Sequence, residues 1–388
     1  MRIVLKNYAD VINASEWRKI MNNILVICTN VFGYNGIAGV ILNYYKVLDK
    51  KKMHIDMILI NEPSEDVKKI FEENGGKIYV VKRNSNPIGY MHKIKKIMRA
   101  NNYDLVHIHG NSATMAIELL AAKQAKIPVR IPHSHNTTSD HMRAHKLLKP
   151  LFNKNYSYGF ACGNEAGKWL YGDKSFVVIN NGVDTDKFNY NEEYRKEIRS
   201  KYGVDNKFVV GHVGLFNYQK NHEILIEIFR KLHKKNPNSV LMLVGEGEKL
   251  EYIKELVKDE KLENDVIFIG TTDEVNKYMM AFDALALPSR FEGLPLVLVE
   301  AQCCGLPCVA STNVSIEADI TGLVDFVDYD KDIDIFVDKL NIVNVRNRER
   351  AVIAEEAIKT IKLKGYSIWD NGKRIEELYE VYINDAKK

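Results

Sequence analysis

Long apolar runs are missing from this sequence: none approaches the roughly 20 residues that a membrane-crossing helix needs, which excludes such a helix. Also missing is a charged-then-apolar leader ahead of a small-residue cleavage site, so the chain is expected to stay in the cytosol, at most at the inner face of a membrane. Cysteine is scarce, five in 388 residues, and never takes the paired two-residue spacing of a zinc site. Cys28 and Cys162 sit in strand-like runs, Cys303, Cys304 and Cys308 bracket Gly-Leu-Pro, and all five are expected as buried thiols. Charge of one sign is not in excess: a net +4 is too small to point to nucleic acid. Short repeats and low-complexity segments are absent as well. What is present is a 46% apolar composition over a length that can fill two domain cores.

Residues 1–20 precede Met21-Asn22-Asn23 as a short polar and apolar segment. They read either as a misassigned start, with Met21 the true one, or as an extension packed on the surface. From Ile24 onward, β-rich runs alternate with helical stretches: Ile24–Cys28, His54–Ile60, Lys77–Val81, Leu105–His109, Val129–Pro132, Tyr158–Ala161 and Phe176–Ile179. A charged, Tyr-containing stretch over Val183–Asn206 reads as a linker. A second series follows with Phe208–Val213, Val240–Val244, Val266–Ile269, Ala284–Leu287, Pro307–Ala310 and Leu323–Val327. The fold class is therefore α/β, two Rossmann-like doubly wound domains over 21–185 and 186–365. A final helix, from about Ser367 to Ile383, carries Ile368, Trp369, Ile375, Leu378, Tyr379 and Tyr382 on an apolar face.

The chemistry concentrates around Pro288-Ser-Arg-Phe-Glu-Gly-Leu-Pro-Leu296, which leads into an apolar stretch ending at Glu300. Glu292 falls in the loop leaving a strand and Glu300 on the helix after it, which is expected to begin at about Pro295. Two carboxylates eight positions apart can then grip different parts of one polyhydroxylated ligand. The unpaired N–H groups of Leu296 and its neighbours face anything anionic beside them.

Other motifs sit at strand ends, where open α/β sheets bind ligands. Gly33-Tyr-Asn-Gly36-Ile-Ala-Gly39 opens a helix without matching the dinucleotide fingerprint, so it is either an anion loop or an ordinary strand–helix turn. Pro132-His133-Ser134-His135-Asn136 aims imidazole out of a strand, able to pass a proton or a hydrogen bond near neutral pH. His133 is expected on the other face of the sheet from His135. No metal is assigned to this pair for want of a third ligand at a clear spacing. His107-x-His109 reads as satisfied polar residues at a sheet edge. In Gly214-Leu215-Phe-Asn-Tyr-Gln-Lys220-Asn221, Lys220 can neutralise a pyrophosphate. Gly245-Glu246 and Gly270-Thr271 are, taken singly, strand-end turns.

Taken in order, Gly214, Lys220, Gly245, Gly270, Glu292 and Glu300 resemble the retaining nucleotide-sugar glycosyltransferases of the GT-B fold, in which two Rossmann-like domains face a central cleft. The likeness runs through nearly the whole chain from Ile24 and is strongest to bacterial exopolysaccharide and capsule enzymes. It implies that Glu292 contacts the donor sugar, with Gly293, Leu294, Pro295 and Leu296 around it, and that Glu300 holds the ribose hydroxyls. Gly36 would face the donor phosphates. Gly214 and Lys220 would hold the diphosphate, Gly245 and Glu246 line the phosphates, and Thr271 lie near the base. Catalysis would rest on His135, Glu292 and Lys220, with no metal and no cofactor. The terminal helix, 366–388, would return to the first domain.

One departure stands out. The family's arginine after the glycine is here Leu215, so Arg290 is either a substitute cation or a solvated surface residue. The implied partners are a nucleotide-sugar donor, with UDP preferred, and a glycan or polyprenyl-diphosphate-linked acceptor. Tyr90–Ala100 and Ser139–Lys154 interleave basic and apolar residues, which suits either peripheral membrane contact or ordinary solvated helices. A rival reading is a silent subunit that binds a nucleotide sugar or scaffolds a polysaccharide complex. An epimerase or a phosphorylase would share the fold, but no pyridoxal-phosphate lysine context is seen.

Overall fold

The computed structural model describes residues 21–33, 36–83, 86–139, 141–343 and 350–388. The expected extension 1–20, and Tyr34 and Asn35 of the first glycine loop, lie outside the described residues. The chain forms two compact units, one of residues up to Asn181 together with Ile368–Lys388, the other of Gly182–Ser367. Val183–Asn206, read from the sequence as a linker, lies in the second unit: Val183 bridges to Ser367, and Asn191 caps the helix Glu192–Lys201 by accepting from the N–H groups of Glu193 and Tyr194.

The first unit is built on a seven-stranded sheet of order β3-β2-β1-β4-β5-β6-β7. Its strands are β1 Asn22–Cys28, β2 Met53–Leu59, β3 Ile78–Val80, β4 Leu105–Gly110, β5 Val129–Ser134, β6 Phe160–Ala161 and β7 Val177–Val178, and every pair is parallel. Parallel strands take helices on both faces, which is why β1 reads as a continuous apolar run from Ile24 to Cys28 rather than an alternating one. The helix Ile368–Lys387 belongs to this unit and buries Ile368, Ile375, Tyr379, Tyr382 and Ile383; Trp369 is 41% exposed and so lies off that face. Tyr382 stacks on Tyr158 at 3.5 Å between ring centroids.

The second unit carries a six-stranded sheet of order β10-β9-β8-β11-β12-β13, formed by β8 Phe208–Val213, β9 Ser239–Val244, β10 Val266–Gly270, β11 Ala284–Leu287, β12 Cys308–Ser311 and β13 Val324–Val327. Side chains alternate between its two cores: Val209, Met242, Leu285 and Leu287 fill one, and Phe208, Val210, Leu241, Leu243, Ala284 and Ala286 the other. Gly211 leaves room for Phe282, whose Cδ2 would lie 1.9 Å from an added Cβ.

In each sheet the strand order reverses once, between β1 and β4 in the first and between β8 and β11 in the second. Such a reversal opens a crevice at the carboxyl ends of the strands, where ligands bind.

Candidate functional site

In the second unit the crevice lies between the loop after β8 and the loop after β11. Gln219 joins them: its carbonyl accepts from Arg290 N–H at 2.8 Å, and its amide donates to the Phe291 carbonyl at 3.0 Å. Asn217 Oδ1 accepts from Lys220 N–H at 3.0 Å and turns the lysine inward. Lys220 Nζ then meets Glu292 Oε1 at 2.6 Å, with the two side chains 16% and 11% exposed. Glu292 is fixed from behind by a parallel bridge to Val314, and Ser289 Oγ donates to its carboxylate at 3.3 Å.

The helix after this loop begins at Leu296, one residue later than the sequence suggests, with Pro295 extended at its head and no side-chain cap. Its first N–H groups are therefore open to an anion. The Leu294 and Leu296 side chains pack on the core, so these two residues present backbone to the crevice. Glu300 lies on the second turn. Loss of hydration pushes its carboxyl up to about 7, and Lys187 and Lys220 oppose that rise only in part.

Three glycine loops complete the crevice because their strands are neighbours. Gly214 N–H donates to the Val244 carbonyl at 3.0 Å, and Gly245 N–H to the Gly270 carbonyl at 2.9 Å. Gly245, at φ +139°, would place a Cβ 2.1 Å from the Gly214 carbonyl oxygen, so only glycine lets these two loops touch. Glu246, Thr271 and Gly293 are exposed beside them. Leu215 is 40% exposed and brings no charge. Arg290 stacks over Tyr218 with its guanidinium carbon 4.5 Å from the ring centroid, and its buried Nε has no hydrogen-bond partner among the described residues. Gly214, Lys220, Gly245, Glu246, Thr271, Glu292, Gly293, Leu294, Pro295, Leu296 and Glu300 thus all belong to this unit.

Gly36 and His135 belong to the first unit. Gly36 opens the helix Gly36–Val47, and a Cβ there would meet nothing within 4 Å, so the fold itself places no demand for glycine at this position. His135 follows β5 and sits 2.8 Å from His109 through Nε2 and Nδ1. Burial pushes its imidazole down to about 4, so it works as a neutral hydrogen-bonding group near pH 7 rather than as a proton carrier.

Two readings of the histidines need correction. His133 does not point away from His135: residues two apart on a strand share a face, and the rings stack at 4.2 Å. His107 and His109 are not at a sheet edge either, because β4 lies between β1 and β5, and both are buried. The third imidazole that the His133–His135 pair lacked in sequence is His107, whose Nε2 is 3.1 Å from His133 Nδ1.

Beside them, Thr29, Asn30, Arg83, Asn111, Ser112 and Asn136 line an open groove of about 580 Å³ at the ends of β1, β4 and β5. Arg83 was not anticipated; it is held by the carbonyl of Thr114 at 2.9 Å and lies 3.4 Å from the carboxylate of buried Glu118. Also unanticipated are His212 and His222, both fully buried under the Lys220 loop, where Phe216 stacks on His222 at 4.0 Å. The only sequence signal for His222 was its place directly after Lys220-Asn221.

The expected lipid-facing helices divide. In Pro87–Asn101, Ile94 and Met98 are buried, so its apolar side fills the core. In Met142–Asn155, Leu147 and Met142 are 79% and 41% exposed beside the exposed Arg143 and Lys146, while Phe152 is buried. No helix among the described residues is long and apolar enough to cross a membrane. Of the cysteines, Cys162 is only partly buried, unlike the other four.

Residues 194–360 match the family of glycosyl transferases group 1, and residues 34–187 match glycosyltransferase family 4. The sequence is 28% identical over 363 residues to the glycosyltransferase named EpsF of Bacillus subtilis, covering 89% of this chain and 93% of that one. It is 29% identical over 311 residues to a UDP-Gal:alpha-D-GlcNAc-diphosphoundecaprenol alpha-1,3-galactosyltransferase of Escherichia coli, covering 74% and 77%. The structure is similar to that of HepE from Anabaena in complex with UDP, with a TM-score of 0.75 at 21% identity, over 93% of this chain and 100% of the other.

Proposed function

This chain belongs to the GT-B glycosyltransferases, and from that premise we propose that it moves a sugar from a nucleotide diphosphate, UDP by preference, to a hydroxyl of a glycan or lipid-linked glycan in surface-polysaccharide assembly. The transfer retains anomeric configuration and uses no divalent metal. The observation that carries this reading is the Lys220–Glu292 pair at 2.6 Å, set beside the open helix start at Leu296 and one helical turn from Glu300.

A diphosphate entering this corner meets a lysine and free backbone N–H groups. Both are already in place when charge develops on the leaving UDP, which is the condition for electrostatic stabilisation of transfer. Lys220 then shares its charge between Glu292 and phosphate, and Glu292 is free to take a sugar hydroxyl. Glu300, ionised, accepts from the ribose hydroxyls. Arg290 supplies the second cation that Leu215 does not. His135 offers a neutral imidazole to the sugar during transfer, and the departing phosphate takes the acceptor's proton.

The groove containing Arg83 suits an acceptor that carries a diphosphate, such as the one named for the Escherichia coli relative. The exposed Met142, Arg143, Lys146 and Leu147 would rest on an anionic membrane surface where a lipid-linked acceptor is found.

The test is to incubate the protein with a panel of UDP-sugars and a lipid-linked glycan in the presence of a chelator, following UDP release and the anomeric form of the product. Release with the anomer retained is expected. Inversion, or loss of release on chelation, overturns the mechanism. A specific observation favours one rival, the silent subunit: Leu215 stands, half exposed and uncharged, where the family places an arginine. Tight UDP binding with no release for any sugar decides for that rival.

A further inference from the structure

Where β4 and β5 run side by side, four imidazoles form a two-by-two array. His107 and His109 come from β4, and His133 and His135 from β5 and its continuation; the register places His109 opposite His133. His107, His109 and His133 are at most 2% exposed. His107 Nε2 lies 3.1 Å from His133 Nδ1, and His109 Nδ1 lies 2.8 Å from His135 Nε2. One ring nitrogen from each of His107, His109 and His133 falls within 4.8 Å of the others. We propose that His107, His109 and His133 bind one divalent late-transition-metal ion of the Zn²⁺ class, with His135 as an exchangeable fourth ligand.

Three observations lead there. The first is the donor set. It contains imidazole alone, with no carboxylate or thiolate, which suits Zn²⁺, Co²⁺, Ni²⁺ or Cu²⁺ and excludes Mg²⁺ and Ca²⁺, whose ligands are oxygen.

The second is the outer contact of His107. Its Nδ1 is 2.6 Å from the hydroxyl of buried Tyr379; in the tautomer with the proton on Nδ1, that hydroxyl accepts it and the Nε2 lone pair turns toward His133. A hydrogen-bonded far nitrogen is the usual support of a metal-bound histidine, because it fixes both the tautomer and the ring.

The third is an imbalance in the array. His133 Nε2 is buried with no hydrogen-bond partner among the described residues. Such an orphan is a cost that valine or isoleucine at the same position would not carry. An ion exchanges the two weak bonds between imidazoles for coordination, and rotation of the His133 ring brings its orphaned nitrogen within reach. Bonds of about 2.0–2.1 Å require ligand atoms about 3.3 Å apart, so the ring edges must close by roughly 1.5 Å.

The ion would tie β4, β5 and the helix Ile368–Lys387 together within the first unit. It takes no part in the proposed transfer, but when it holds His135 it withdraws that residue from the sugar. Zn²⁺ would then slow transfer without weakening the binding of UDP.

The experiment uses the full chain stripped with chelator and titrated with Zn²⁺ and with Co²⁺. The expected result is one ion per chain, a visible d–d band of four-coordinate Co²⁺, and at least a tenfold loss of affinity in the His107→Gln, His133→Gln double variant. His92→Gln, on an exposed part of the helix Pro87–Asn101, should bind like wild type. Undiminished binding in the double variant, or no stoichiometric binding by wild type, overturns the site. Should the double variant not fold, the wild-type protein still decides: Zn²⁺ must shift the ring ¹⁵N resonances of the buried histidines, and unshifted rings overturn the proposal. Calorimetry with UDP, with and without Zn²⁺, keeps this test separate from the glycosyltransferase reading, since unchanged UDP binding is expected whichever way the metal result falls.

Discussion

Replacing Glu300 by glutamine should stabilise the protein and weaken its hold on UDP. The carboxyl is pushed from an ordinary value near 4.5 up to about 7 by loss of hydration. Below pH 4.5 the folded and unfolded chains both carry the proton, and Glu300 costs nothing. As the pH rises from 4.5 through 7, the unfolded chain ionises freely while the folded chain must ionise at an unfavourable site, so stability falls across that window. About 2.5 pH units of displacement correspond to a cost on the order of 3 kcal/mol above pH 7. Glu300→Gln removes that cost, and its second unit should melt roughly 6–12 °C higher than wild type at pH 8, with no difference at pH 4.5.

Binding moves the opposite way. The ribose hydroxyls lose a charged acceptor worth about 1.5–3 kcal/mol, which is roughly 10- to 150-fold in affinity. Wild-type affinity should itself be roughly tenfold weaker at pH 6 than at pH 8, because only about a tenth of the carboxylate is then ionised. UDP-glucose is the ligand of choice for the calorimetry, since its doubly esterified diphosphate has no proton to titrate near neutrality. A variant that binds UDP-glucose as wild type does, with no pH dependence in either protein, refutes the ribose assignment. Equal melting temperatures at pH 8 refute the account of a dehydrated carboxylate.

Leu215→Arg should tighten UDP by up to tenfold, the equivalent of about 1.4 kcal/mol, measured by calorimetry; a fall in affinity means that the loop is packed around leucine. His135→Ala should lower turnover by about 10²-fold with UDP affinity unchanged, because the residue lies in the other unit from the nucleotide crevice and is assigned to the transition state. His133 cannot serve as its control, since it stacks on His135; His92→Ala, which should leave turnover intact, takes that place. Gly211→Ala should cost the second unit about 1–3 kcal/mol in urea unfolding, because its Cβ would sit 1.9 Å from Phe282 Cδ2. Wild-type stability in that variant would mean that Phe282 swings aside freely.

The sequence by itself determined the series of strands and the order of the motifs that follow them. Buried parallel strands must be apolar on both faces, and this made runs such as Phe208–Val213 and Ala284–Leu287 visible with their observed bounds. Loops at strand ends need glycine and polar side chains, which is why Gly214, Lys220, Gly245 and Glu292 could be named in order. Local rules also placed Glu300 on the second turn of its helix.

Only the tertiary structure decided which groups meet and what their surroundings do to them. Lys220 and Glu292 are 72 positions apart, and no local rule makes them a 2.6 Å pair; the pairing of β8 with β11 does. His107 and His109 read from the sequence as residues at a sheet edge, whereas the neighbours of β4 are set by the crossover that lays it between β1 and β5. That placement gathers His107 and His109 against His133 and His135, and brings Tyr379 from 272 positions away to the first of them. The displaced ionisation of Glu300 and His135 has the same origin, because loss of hydration is a property of everything packed around a side chain and has no signature in its immediate neighbours along the chain.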